Sequence, residues 1–152
     1  MKKFRFQLDT LLELRKRKEE KIKLHLAEKN RQVMEAQIEI NRIHDELKEL
    51  QSSEKHRRGT NESITMLRYS VSYRFKLRED LLKAGQKMED LRAEAVKVRK
   101  TLVTATKDRR AIEIVKERRL QEWKKENRTK EQGFIDDVSQ QGFIRKTRSN
   151  KS

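Results

Sequence analysis

The sequence predicts an all-α protein: two long helices folded back on each other as an antiparallel coiled-coil hairpin, the second helix longer than the first. Three observations carry that prediction. From Ile22 to Leu50 the apolar residues Ile22, Leu26, Val33, Ala36, Ile40, Ile43, Leu47 and Leu50 recur in steps of three, four or their sum, with mostly charged and amide side chains between them. After a cluster of turn formers the same step resumes through Leu67, Leu77, Leu81, Ala84, Met88, Leu91, Ala95, Val98, Leu102, Ala105 and Ile112. The chain also contains no proline, so nothing removes a backbone donor or clashes with a preceding helical turn. Stripes this narrow cover too little of a helix to hold a mixed core, and each calls for a long partner helix.

Composition agrees. Of the 152 residues 33% are hydrophobic and 43% charged, which argues against a thick two-layer core. The periodicity of the apolar residues separates this chain from a disordered one of similar charge. A net charge of +15 and a pI near 10.2 imply attraction to polyanions: nucleic acid, an anionic membrane surface or an acidic protein. The absence of cysteine removes disulfides and thiolate metal sites and suits a reducing compartment. The basic start, Met1-Lys2-Lys3-Phe4-Arg5-Phe6, has no apolar segment behind it, and no run of about 18 apolar residues occurs to span a bilayer. The expectation is a soluble cytoplasmic protein, in which the sequons Asn61-Glu62-Ser63 and Asn127-Arg128-Thr129 are chance matches.

The expected layout is a single hairpin over residues 1–152: a first helix at 8–51, a turn at 52–63, a second helix at 64–132 and a partly disordered basic tail at 133–152. Phe4-Arg5-Phe6-Gln7-Leu8 forms an apolar cluster before the first helix, and Thr10 with Glu13 fits a capping box. The seam also runs back through Leu12 to Leu8, which would start the helix a turn earlier. Arg15 and Glu19 occupy seam positions as a polar interruption. In the turn, Gly59 can adopt the left-handed conformation that ends a helix, and Thr60 or Asn61 can cap the next. Gly85 weakens the second helix by about 1 kcal/mol relative to alanine, and Gly133 is the expected stop. Each paired arm is then about 65 Å long. Folding back at Gly59 brings Leu50 near Leu67 and Leu8 near Arg109, leaving the chain after Ile112 without an intramolecular partner. The competing arrangement is a parallel dimer of one bent helix, which the break at Gly59 disfavours.

No enzyme is legible. His25, His44 and His56 are far apart and fit no zinc-binding pattern, no phosphate-binding glycine loop is present, and the carboxylates alternate with Lys and Arg as on a solvated helix. No catalytic, cofactor-binding or metal-ligating residue is assigned, and no small-molecule substrate is expected.

Two features exceed what a plain coiled coil needs. Phe75, Leu82, Val96 and Val103 share one off-seam heptad position, with Tyr69, Val71 and Tyr73 near its start. Such residues either broaden the hydrophobic stripe or form a partner-binding face. The second feature is the stretch from Lys107 to Lys130, where Arg109, Arg110, Lys116, Arg118, Arg119, Lys124, Lys125 and Arg128 surround Ile112, Val115, Leu120 and Trp123. A lone Trp on a basic helix is a hot-spot candidate; the plainer reading has it cover the mouth of the hairpin.

With these residues in place, the sequence resembles the flagellar export protein FliJ family of type III secretion. The resemblance rests on Phe4-Arg5-Phe6-Gln7-Leu8 with Leu11-Leu12, Arg15-Lys16-Arg17, Glu20 and Leu26-Ala27, on Arg68-Tyr69, Tyr73 and Phe75, and on Arg118-Arg119 through Trp123 to Asp136-Asp137. It implies a cytoplasmic coiled coil similar to the central stalk of rotary ATPases, peripheral at the inner face of the cell membrane. It also implies binding to the hexameric flagellar export ATPase, promotion of its ring assembly, and contacts with the membrane-embedded export gate protein and with export chaperones. Carried onto this chain, the ATPase-binding residues are Phe4, Phe6, Leu8, Leu11, Arg109, Ile112, Lys116, Arg119, Leu120 and Trp123. The gate-binding residues are Tyr69, Tyr73, Phe75 and Leu82. ATP hydrolysis belongs to the partner.

The alternative is a nucleic-acid-binding basic coiled coil. Glu113, Glu117, Glu122 and Glu126 interrupt the basic face and disfavour it. A purely structural spacer leaves Tyr69, Tyr73, Phe75 and Trp123 without a role.

Overall fold

The computed structural model of the protein describes residues 3–149, with side chains as far as Arg145. Among the described residues there are two helices and no strand: α1, Asp9–Arg57, and α2, Ile64–Ser149. The second is the longer, as expected. Contacts divide the chain into two compact units, one of residues 1–17 with 105–152 and the other of residues 18–104. Both helices run through both units.

In the unit of residues 18–104, burial follows the heptad step on both helices. On α1 the shielded positions include Glu19, Ile22, Leu26, Lys29, Val33, Ala36, Ile40, Ile43, Leu47, Leu50, Glu54 and Arg57, with Glu28, Gln32, Gln37 and Glu46 partly covered beside them. On α2 they include Ser70, Tyr73, Leu77, Leu81, Ala84, Met88, Leu91, Ala95, Val98 and Leu102. The helices of this seam run antiparallel: Glu54 pairs with Arg74, the Tyr73 hydroxyl donates to Glu46 at 3.1 Å, and Lys29 pairs with Glu94 at 2.5 Å. The most buried hydrophobic side chains of the unit, Ile43 and Leu77, retain only 3% and 4% exposure.

The turn differs from expectation, and the difference shifts the register. α1 does not end near Leu50 but continues to Arg57, because its last seam positions are polar and ion-paired across the turn. Glu54 meets Arg74, and Arg57 reaches both Glu62 at 3.2 Å and the Ser70 hydroxyl at 3.0 Å. Gly59 is not left-handed; no described residue has a positive φ. Instead the Thr60 amide and hydroxyl both donate to the Arg57 carbonyl, at 2.9 and 3.0 Å, and close the end of α1. Ser63, rather than Thr60 or Asn61, stands at the cap position just before α2: its carbonyl accepts from the Met66 and Leu67 amides. With the reversal displaced along the chain, facing residues move by twice the displacement. Leu50 is therefore not opposite Leu67, which stays half exposed at 49%.

In the unit of residues 1–17 and 105–152, the Leu12 amide donates to the Leu8 carbonyl at 2.9 Å and α1 opens at Asp9. The helix thus starts ahead of Thr10, so a capping box at Thr10 and Glu13 does not form. Arg15 pairs with Asp108 at 2.7 Å and Lys116 with Asp9 at 2.6 Å. Leu8 consequently does not face Arg109, and facing partners lie about one heptad further along α2 than expected. Leu12 and Ala105, each 3% exposed, are the apolar centre of this unit. α2 passes through Gly133 without stopping and continues helical to Ser149, in place of the expected end at 132. From Arg128 to Arg145 every side chain is exposed. The part of the expected disordered tail at 150–152 lies outside the described residues.

Candidate protein-docking site

Residues 3–6 are not helical and lie along α2 within their unit. Phe6 is buried at 5% exposure, and the Lys116 ammonium sits 5.8 Å from the centre of its ring, a cation–π contact. Two residues earlier, Phe4 packs on Trp123 with ring centroids 5.9 Å apart and planes inclined by 58°. That tilted arrangement is favoured by aromatic quadrupoles. Asp9 also holds Lys116, at 2.6 Å. Phe4, Phe6, Lys116 and Trp123 thus form one mixed aromatic and cationic cluster, in which Phe6 is buried and the other three are part-exposed.

The other residues expected to meet an ATPase divide around it. Ile112 and Leu120 are half buried on the seam of α2, while Leu8 and Leu11 are 37% and 36% exposed. Arg119, where continued alternation of four and three after Ile112 would put the seam, is exposed: shielding passes from Ile112 to Lys116, Leu120 and Trp123, two steps of four in succession. Arg109 is engaged with Glu113 at 2.6 Å. That hydrogen bond, foremost among several causes, holds the Glu113 carboxyl below the usual carboxylate range. The expectation that α2 after Ile112 lacks an intramolecular partner is corrected: Lys116 and Trp123 are covered by Asp9, Phe6 and Phe4. Sequence reasoning overlooked Asp9 and Asp108 as the partners that fix this register. For Asp108 the signal was present as a lone acid within Lys107-Asp108-Arg109-Arg110; for Asp9 the sequence offered none.

In the other unit, Tyr69 and Tyr73 stack with centroids 6.2 Å apart and planes 8° from parallel. Tyr69, Phe75 and Leu82 are exposed at 67%, 67% and 77%. Tyr73 is half buried, and its hydrogen bond to Glu46, with burial, raises its pKa. Val96 and Val103, on the same heptad position as Phe75 and Leu82, are about half exposed at 52% and 49%. Tyr69, Phe75, Leu82, Val96 and Val103 therefore do not broaden the buried seam, whereas Tyr73 belongs to it.

Among the described residues no group of three or more His, Cys, Asp or Glu side chains could hold a metal ion. Among the described residues no helix is long and apolar enough to cross a membrane. An antiparallel helix pair with exposed aromatic faces defines a class of protein that works by docking other proteins. The family model of the flagellar FliJ protein matches residues 4–148. The chain belongs to that family, whose members are non-catalytic components of flagellar protein export. No curated protein and no solved structure matches it significantly.

Proposed function

We propose that the chain acts as the coiled-coil stalk of a flagellar export ATPase, binding the hexameric enzyme, promoting its ring assembly and coupling it to the export gate and export chaperones. The ATPase would dock on Phe4, Phe6, Lys116, Leu120 and Trp123, with Leu8, Leu11, Arg109, Ile112 and Arg119 around them. The observation that carries this reading is the clasp of Phe4 on Trp123, which gathers aromatic anchors and a cation into one small surface. The face of Tyr69, Phe75 and Leu82, apolar and exposed without a role in the seam, is assigned to the gate together with Tyr73, which stacks on Tyr69 from the seam side. The protein is then cytoplasmic and peripheral at the inner face of the membrane.

The nucleic-acid reading is weakened by internal neutralisation: Arg109 and Arg110 pair with Glu113, and Arg110 also pairs with Glu117. The test is a titration into the cognate export ATPase at physiological salt, following hydrolysis and particle size, with duplex DNA as a parallel ligand. Stimulated hydrolysis and ring-sized particles are expected. Replacing Leu120 and Trp123 together by alanine should weaken binding by about 2 kcal/mol or more, roughly thirtyfold. Salt-sensitive DNA binding with no effect on the ATPase would overturn the reading.

A further inference from the structure

We infer that the turn end of the hairpin, in the unit of residues 18–104, is an interfacial anchor for an anionic phospholipid surface. Its charge is one-sided. Between Leu50 and Arg78 there are seven Lys or Arg and only two acids, Glu54 and Glu62. Both acids are spent internally, on Arg74 and Arg57, with side-chain exposures of 8% and 14%. Lys55, Arg58, Arg68 and Arg78 carry no ion pair among the described residues, and Lys55, Arg58 and Arg78 line a common open groove beside Glu54. Unneutralised cations clustered at one end are what an anionic leaflet attracts.

The same end is apolar. Ile64, Met66, Leu67, Tyr69 and Val71 are exposed at 72%, 48%, 49%, 67% and 41%. At 3.6 residues per turn these five spread around most of the helix circumference. Ser70, Tyr73 and Leu77 occupy the side that faces α1. A groove in a rigid protein partner reads one face of a helix. A fluid interface accepts apolar side chains in every direction, with Tyr69 at headgroup depth and cations in the phosphate layer. Nucleic acid would use the charge but leave these aliphatic side chains in water. The inference goes beyond the stalk reading and requires neither ATPase nor gate.

The test is co-sedimentation of the full chain with vesicles of equal parts phosphatidylglycerol and phosphatidylethanolamine, and with phosphatidylcholine vesicles, at physiological salt. Binding to the first and not the second is expected. Lys55→Gln, Arg58→Gln and Arg68→Gln together should lower affinity at least about tenfold. Lys97→Gln, Arg99→Gln and Lys100→Gln, which remove the same charge elsewhere in the unit, should change it less than about twofold. Ile64→Ser with Leu67→Ser, exposed positions that leave the seam intact, should lower affinity as the charge variant does. In a Trp123→Phe background, Leu67→Trp should shift its emission to the blue on the anionic vesicles. Equal losses from both charge triples, an unshifted Leu67→Trp emission, no binding to the anionic vesicles, or equal binding to phosphatidylcholine would each overturn the proposal.

Discussion

The ring of Phe4 lies 5.9 Å from that of Trp123, tilted by 58°, so a residue ahead of α1 covers the single indole of the protein. The contact joins positions more than a hundred residues apart through a segment that is not helical. It therefore reports directly on whether the start of α1 is paired with α2 in this unit.

Phe4→Ala should expose the indole. Trp123 emission is expected to move to the red, with a loss of about 0.5–1.5 kcal/mol from the aromatic contact beyond its buried area. An unchanged spectrum would mean that the two rings do not touch in solution.

The seam should carry the stability. Ile43→Ala removes a side chain that is 3% exposed and should cost about 2–5 kcal/mol in urea unfolding. Ile38→Ala, at a position 65% exposed, should stay within about 0.5 kcal/mol. Similar losses at the two positions would contradict the observed face of α1.

Tyr73 should titrate above the ordinary phenol range, because its hydroxyl donates to the Glu46 carboxylate and its ring is partly desolvated. A raised folded-state pKa means that folding favours the protonated phenol. The stabilisation is then fully present below the unfolded value and is lost as pH rises through the folded one. Ultraviolet absorbance of the phenolate follows the transition, and Glu46→Gln should bring it down. A titration indifferent to that change would remove Glu46 as the cause.

Arg74→Ala should loosen the turn end without unravelling the seam. It leaves the Glu54 carboxylate, whose residue is 6% exposed, without its cation, at a cost of about 1–3 kcal/mol. Amide exchange should quicken in residues 50–57 and 70–77 before it does around Ile43. Uniform acceleration along α1 would show that this cluster is not a local lock.

The seams were legible because a heptad is a property of one helix at a time. Ile22, Ala36, Ile43, Leu77 and Ala105 are shielded wherever the partner helix lies along the stripe, since the period alone sets which side chains share a face. The polar places Arg15 and Glu19 were equally legible, and Glu19 is buried to 4% with Lys23 at 3.3 Å. The exposed faces followed as the complement of the stripe, which is why Phe75 and Leu82 stood out before any coordinates.

Register was not legible. Two antiparallel apolar stripes can slide by a heptad with nearly the same contacts, so the choice falls to groups that meet only after folding. Here Glu54 with Arg74, and Arg57 with Glu62 and Ser70, extend α1 to Arg57 and displace the reversal. Asp9 with Lys116 and Arg15 with Asp108 hold the matching offset in the other unit. The sequence by itself determined which residues face inward; only tertiary structure decided what they face, because a charge in a one-dimensional pattern does not declare its partner.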